Sequence, residues 1–221
     1  MTAHMKREIE KLKARLLEVS AAAEKNLCLA VESLREKDSG LAKKVIDGDI
    51  EIDHMEVDVE EECLKILALH QPVAVDLRFV ITALKINNDL ERIGDLAVNI
   101  AERSEFLARQ REIDIPQEIY AMAEKAQSML TRSLDALVDM DCKLAHDVCA
   151  DDDEVDAINR QMYLIVQDKI RAHTGQTEVL IHLLSASRHL ERIADYATNI
   201  AEDVIYMVEG KIVRHRTEKY K

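Results

Sequence analysis

Glycine and proline are nearly missing from this chain of 221 residues. Five Gly and two Pro leave few places for a sharp turn, and aromatics at 3% with no Trp give little of what β-sandwiches and barrels are built from. Ala, Leu, Ile, Glu and Lys dominate instead, and most of these cost a helix little. The expectation is an all-α fold with almost no strand. Positive charge is also short: 30 Lys plus Arg face 43 Asp plus Glu, a net charge of −13. That balance disfavours sequence-independent binding to a phosphate backbone, so no nucleic acid is expected as a partner. No apolar run reaches the length of a membrane span, and Met1-Thr-Ala-His-Met-Lys-Arg-Glu8 lacks the apolar core of a signal peptide. A cytoplasmic location without membrane insertion is the expectation. Cys28, Cys63, Cys142 and Cys149 are scattered, with no Cys-x-x-Cys or zinc-ribbon spacing. They read as reduced thiols acting as small core residues, although Cys142 and Cys149 are spaced to share a helix face.

What the chain does contain is helical periodicity, broken at few places. Apolar residues recur from about Lys6 to Lys37 and stop at Asp38-Ser39-Gly40, a turn cluster with a good cap. A second run goes from Leu41 to about Leu69, before Pro72, whose ring suits the first turn of a third helix reaching about Arg109. Asp114-Ile115-Pro116 is the best linker. The plan then repeats: about Gln117 to Val138, a break at Asp139-Met140-Asp141, about Lys143 to Ala172, a break at Thr174-Gly175, and a last helix to about Val208, ended by Gly210. None of these long helices can bury its apolar stripe alone, and two tandem antiparallel three-helix bundles are the simple solution. The expected organisation is 1–112, 113–210 and a basic tail over 211–221.

The repeat is written in the residues. LERIGDLAVNIAE, Leu90 to Glu102, returns as LERIADYATNIAE, Leu190 to Glu202, identical at ten of thirteen positions after an interval of 100 residues. Both copies carry Glu-x-x-x-Asp: Glu91 with Asp95, and Glu191 with Asp195. Residues i and i+4 are neighbours on a helix, where like charges repel by about a few tenths of a kcal/mol. Two more i, i+4 pairs lie on the second helix of each unit, Asp49 with Asp53 and Asp152 with Asp156. If the helices pack side by side, four carboxylates converge in each half. Crowding is worst in the first, where Asp47 to Glu62 holds nine acids and no Lys or Arg. On helix three, Leu90, Ile93, Ala97 and Ile100 form the core stripe, and Glu91, Asp95 and Glu102 lie roughly 160° away, near the surface. A solvated acidic face is therefore the bland reading. Duplication in register favours a cation, and oxygen-only ligands suit Mg²⁺, Mn²⁺, Ca²⁺ or iron.

Neighbouring residues are less telling. Gly94 and Ala194 are small, which fits close approach of a group or tight helix packing. Arg92 and Arg192 are expected to pair with acids on a neighbouring helix, and Asn99 and Asn199 to hydrogen-bond across helices. Of the histidines only His70 and His173 align, next to inter-helix turns.

The run His70-Gln-Pro-Val-Ala-Val-Asp-Leu-Arg78, followed by LERIGDLAVNIAE and later by LERIADYATNIAEDVIYMVEG, resembles the PhoU family of regulators of bacterial phosphate uptake. The likeness covers nearly the whole chain in order. It implies two tandem three-helix bundles, no catalytic activity, a homodimer, and multinuclear metal clusters, of iron or zinc, on paired acidic motifs. Carried to this sequence, one site uses Asp49, Asp53, Glu91 and Asp95, and the other Asp152, Asp156, Glu191 and Asp195. It further implies a negative regulator that bridges the ATPase of the phosphate ABC transporter and a sensor histidine kinase. Ala194, Tyr196 and His70 depart from the residues frequent in the family, but none removes a carboxylate.

Two other readings come from the residues. A ferritin-like metal-dependent oxidase uses Glu from two helices plus Glu-x-x-His from two others. Glu51-x-x-His54 fits once, and its counterpart at Glu154 has Ala157, so that ligand set fails. A purely structural helical scaffold would hold no metal.

Overall fold

A computed structural model describes residues 3–110, 114–172 and 174–213. It has six α-helices and, among the described residues, no strand: α1 (Ala3–Glu36), α2 (Ser39–His70), α3 (Ala74–Ala108), α4 (Gln117–Asp139), α5 (Cys142–Ala172) and α6 (Thr177–Glu209). A single 3₁₀ turn, Thr174–Gln176, precedes α6. None of the helices is long and apolar enough to cross a membrane. Helices α1, α2 and α3 pack mutually as one bundle, and α4, α5 and α6 as another.

Local chemistry repeats along with the sequence. Each first helix ends in a left-handed residue, Lys37 at φ 53° and Met140 at φ 54°. The amide after each donates five residues back, Asp38 to Ser33 and Asp141 to Ala136, both at 3.0 Å. Asp38 and Asp141 then cap the following helices through Oδ1, which accepts from Gly40 and Leu41 in one half and from Lys143 and Leu144 in the other. Pro72 differs from expectation. Gln71 (φ 45°) and Ala74 (φ 51°) are both left-handed, so the chain turns twice around Pro72 and the helix starts beyond it. The Asp114-Ile115-Pro116 linker is anchored: Ile115 and Pro116 are buried, and Asp114 pairs with Lys169 at 2.8 Å.

Burial follows 3–4 spacing. On α1 the stripe runs Met5, Ile9, Leu12, Leu16, Val19, Ala23, Leu27, Ala30 and Leu34. On α2 it runs Ala42, Val45, Ile52, Val59, Cys63 and Ile66, and the gaps at its period are filled by Asp49 and Glu56. On α5 it runs Ala145, Val148, Val155, Asn159, Met162 and Val166, with Asp152 in the matching gap. Acids thus occupy slots of the inward seam. The bundles join along α3 and α6, where Lys85 pairs with buried Asp203 at 3.3 Å and lies over the Tyr206 ring, while Phe106 stacks on His182 with ring centroids 3.7 Å apart. Cys63 is buried and Cys149 half-buried, and burial, with nearby carboxylates adding, pushes both thiols up to about 12. Cys28 is exposed, unlike the core thiol expected of it. His173 and residues 214–221 of the basic tail lie outside the described residues.

Candidate metal centres

The acids of α2 and α5 divide by what they face. Those turned towards α1 or α4 meet cations. Glu62 is buried but lies 3.2 Å from Lys11, 3.4 Å from Lys65 and 3.8 Å from Arg15. Burial alone would raise its carboxyl, yet hydrogen bonds from Glu8 and Lys11 and the charges of Lys11 and Lys65 hold it below its ordinary value. In the second half Arg132 of α4 pairs with Asp151, and Lys125 with Glu154. The acids turned towards α3 and α6, and those facing them there, are supplied from their own helices instead: Arg92 lies 3.3 Å from Glu91 and 3.2 Å from Asp95, and Arg160 lies 3.2 Å from Asp156.

In the first half, Asp49 faces α3 so closely that a Cβ built on Gly94 would lie 2.7 Å from its Oδ1. The same Cβ would lie 3.4 Å from Ile52 Cδ1, so this glycine serves tight packing of α2 on α3 as well as the approach of a carboxylate. Among the described residues, Asp49 Oδ1 is buried with no hydrogen-bond partner, and Glu91 Oε2 is buried with Arg92 Nε 3.3 Å away. Burial, reinforced by Asp53, Asp95 and Glu91, raises the Asp49 carboxyl to about 6. Burial and Asp95, with Asp53 and Glu56 adding, raise Glu91. All four predicted residues therefore lie within one another's field. The second half repeats the raised carboxyls but not the glycine cradle, since Ala194 stands at that position: burial, then Asp156, Asp153 and Glu191, raises Asp152 to about 6, and burial, then Asp152, Glu191 and Asp156, raises Asp195 to about 7. Glu191 is raised by burial and Asp156. Asp53 and Asp195 are exposed and the other six are intermediate.

Among the described residues no three His, Cys, Asp or Glu side chains stand ready in a metal-holding arrangement. The carboxylates are grouped but not drawn up around a point, as mutual repulsion dictates. Their chemistry nonetheless fits a hard cation: oxygen donors only, one oxygen buried without a partner, and a glycine cradle beside it. Helix α3 follows the expected stripe, with Leu90, Ile93, Ala97 and Ile100 fully buried. Its acids are less solvated than expected because α2 covers their flank.

Several neighbours differ from expectation. Arg92 pairs with Glu91 and Asp95 on its own helix, not with an adjoining one. The Asn99 amide donates to the Asp95 carbonyl at 2.7 Å, again within its helix. His70 makes an edge contact with the His4 ring. Glu51 and His54 are exposed, so the one Glu-x-x-His of the ferritin-like reading does not point into the bundle. Residues that motif matching passed over also line the second site: Asn159, Tyr163 and Arg188 share an open cavity with Glu191, Arg192 and Asp195. The signal was available in the positions where the two copies disagree.

Comparison with known proteins matches the same two units. The model of the PhoU domain matches residues 16–104 and again 119–204. The phosphate-specific transport system accessory protein PhoU homologue of Clostridium acetobutylicum is 36% identical over 93% of this chain and 94% of its own. The homologue of the same description from Pseudomonas aeruginosa is 38% identical, over 94% of this chain and 86% of its own. Among solved structures, PhoU from Pseudomonas aeruginosa superposes with a TM-score of 0.91 at 36% identity, covering 93% of this chain and 99% of that one. The phosphate transport system regulatory protein PhoU from Streptococcus pneumoniae gives 0.84 at 27% identity, covering 95% and 99%. With both halves matched and relatives alike along nearly their whole length, the chain belongs to the PhoU family.

Proposed function

We propose that this chain is an accessory protein of phosphate transport that acts as a negative regulator of uptake and of phosphate-starvation signalling. The carrying observation is the full-length likeness to relatives described as phosphate-specific transport system accessory proteins. In this reading it is a cytoplasmic, non-enzymatic adaptor and a homodimer, which contacts the ATPase of the phosphate transporter and a sensor histidine kinase. Two carboxylate groups, Asp49, Asp53, Glu91 and Asp95 and, in the second half, Asp152, Asp156, Glu191 and Asp195, hold divalent or trivalent cations, iron or zinc first, with Mg²⁺ or Mn²⁺ as further occupants. The support is chemical: a bound cation gives the orphaned Asp49 oxygen a partner and offsets the burial cost of Asp49 and Glu91. The metal then sets the charge and shape of a surface offered to partners.

Two experiments test this. In a bacterium lacking its own copy, the chain should restore repression of a phosphate-starvation reporter in phosphate-rich medium; a reporter still fully induced despite normal protein levels rejects the regulatory role. Elemental analysis of protein purified without chelator should find metal, with roughly half lost in Glu91→Ala/Asp95→Ala and half in Glu191→Ala/Asp195→Ala. A metal-free wild type rejects the cation sites.

A further inference from the structure

The two halves part company beside the second acid group. An open cavity of about 430 Å³ is lined there by Asn159, Tyr163, Arg188, Glu191, Arg192 and Asp195. In the repeat register, Glu56, Glu60 and Asn88 hold the first-half positions of Asn159, Tyr163 and Arg188. Side-chain contacts support that correspondence: the Asn87 amide donates to the Glu56 carbonyl at 2.9 Å in the first half, and Ser187 Oγ lies 3.2 Å from Asn159 Oδ1 in the second. The second copy has therefore exchanged two carboxylates for uncharged hydrogen-bonding groups and one amide for a guanidinium.

Arginine pairing differs in the same sense. Arg92 is taken up by Glu91 at 3.3 Å and Asp95 at 3.2 Å. Among the described residues Arg188 and Arg192 close no hydrogen bond or ion pair within 4 Å; their charges offset Glu191 and, for Arg192, Asp195 only from a distance, and both line the cavity. They stand four apart on α6, so their side chains leave the helix on one face. Two guanidinium forks, a phenol and an amide suit a tetrahedral oxyanion with several oxygens better than a flat carboxylate.

We propose that the second-half groove is an oxyanion site for a phosphoryl group, gripped by Arg188 and Arg192 with Tyr163 and Asn159 on its wall, and that the first half has no counterpart. Glu191 and Asp195 line the same cavity and repel an anion. The oxyanion therefore enters once a cation has neutralised them, a condition that rests on the metal reading above. Linkage makes the effect reciprocal: the oxyanion tightens cation binding in the second half and leaves the first unchanged. The chain would then carry one site that reads metal alone and one that reads metal and phosphoryl group together.

The test uses the full chain loaded with Mn²⁺, its metal content fixed by elemental analysis, and titrates inorganic phosphate by calorimetry, with AMP in a separate arm. The expected result is one saturable equivalent per chain that disappears when Mn²⁺ is stripped. Phosphate binding alone identifies the free ion as ligand; AMP binding alone identifies a phosphorylated organic ligand of the same chemistry. Arg188→Asn, which installs the first-half residue at an exposed position, should weaken binding at least about tenfold with Mn²⁺ content unchanged. Arg92→Gln should leave the oxyanion affinity as it was. Metal uptake without saturable heat from either ligand, two equivalents per chain, binding to metal-free protein, or wild-type affinity in Arg188→Asn each overturns the oxyanion site alone. A chain that takes up no Mn²⁺ overturns the metal reading, and this proposal with it.

Discussion

Replacing Asp49 by Asn separates a repulsive carboxylate from a structurally useful one. Asp49 fills an apolar slot on the inner stripe of α2 and is pressed against Gly94, and its carboxyl is raised from 3.8 to about 6. Because the folded pKa exceeds the unfolded one, the native state binds more protons between about pH 4 and 6, and stability falls as pH rises through that window. A shift of about two units would be worth about 3 kcal/mol if the group were wholly enclosed. Asp49 is only partly buried and water screens its neighbours, so about 1 kcal/mol is the figure to expect. In chelator-treated protein at pH 8, Asp49→Asn should therefore be more stable than wild type by about 1 kcal/mol, roughly 2–4 °C in Tm. The gain should shrink as pH falls below about 6 and vanish near pH 4, where both side chains are uncharged. With metal the order should reverse, since Asn supplies no charge to the cation. Thermal melts of both proteins across pH, with and without metal, read all three outcomes. A metal-free Asp49→Asn protein that melts below wild type at pH 8 would refute the electrostatic reasoning.

Other perturbations have equally definite outcomes. Gly94→Ala places a methyl where Asp49 Oδ1 now sits, so the helix-propensity gain of about 1 kcal/mol should be largely cancelled, while first-half metal is lost and second-half metal kept, as elemental analysis would read. Lys85→Ala removes the cation facing buried Asp203 across the α3–α6 junction, and urea denaturation should record a loss of about 2 kcal/mol. Lys37→Gly relieves a left-handed backbone at the end of α1 and should stabilise by about 1 kcal/mol in the same assay.

Sequence by itself determined the all-helical fold, the six helices and the duplication. Each of these rests on short-range rules: apolar residues three or four apart, Asp at a cap, Pro and Gly at ends. The eight candidate ligands were legible for the same reason, since i, i+4 acids must share a helix face. Helix periodicity says which residues share a face, but not what stands opposite. Only tertiary packing decided that Glu62, within the same acidic run as Asp49, is neutralised by Lys11 and Arg15 of α1, while Asp49 is enclosed against Gly94 without a partner. Packing also decided that Arg92 is spent on its own helix while Arg188 and Arg192, with no ion pair within 4 Å among the described residues, line an open cavity. Charge compensation depends on distance and on water excluded between helices, and both arise only when one helix is laid against another.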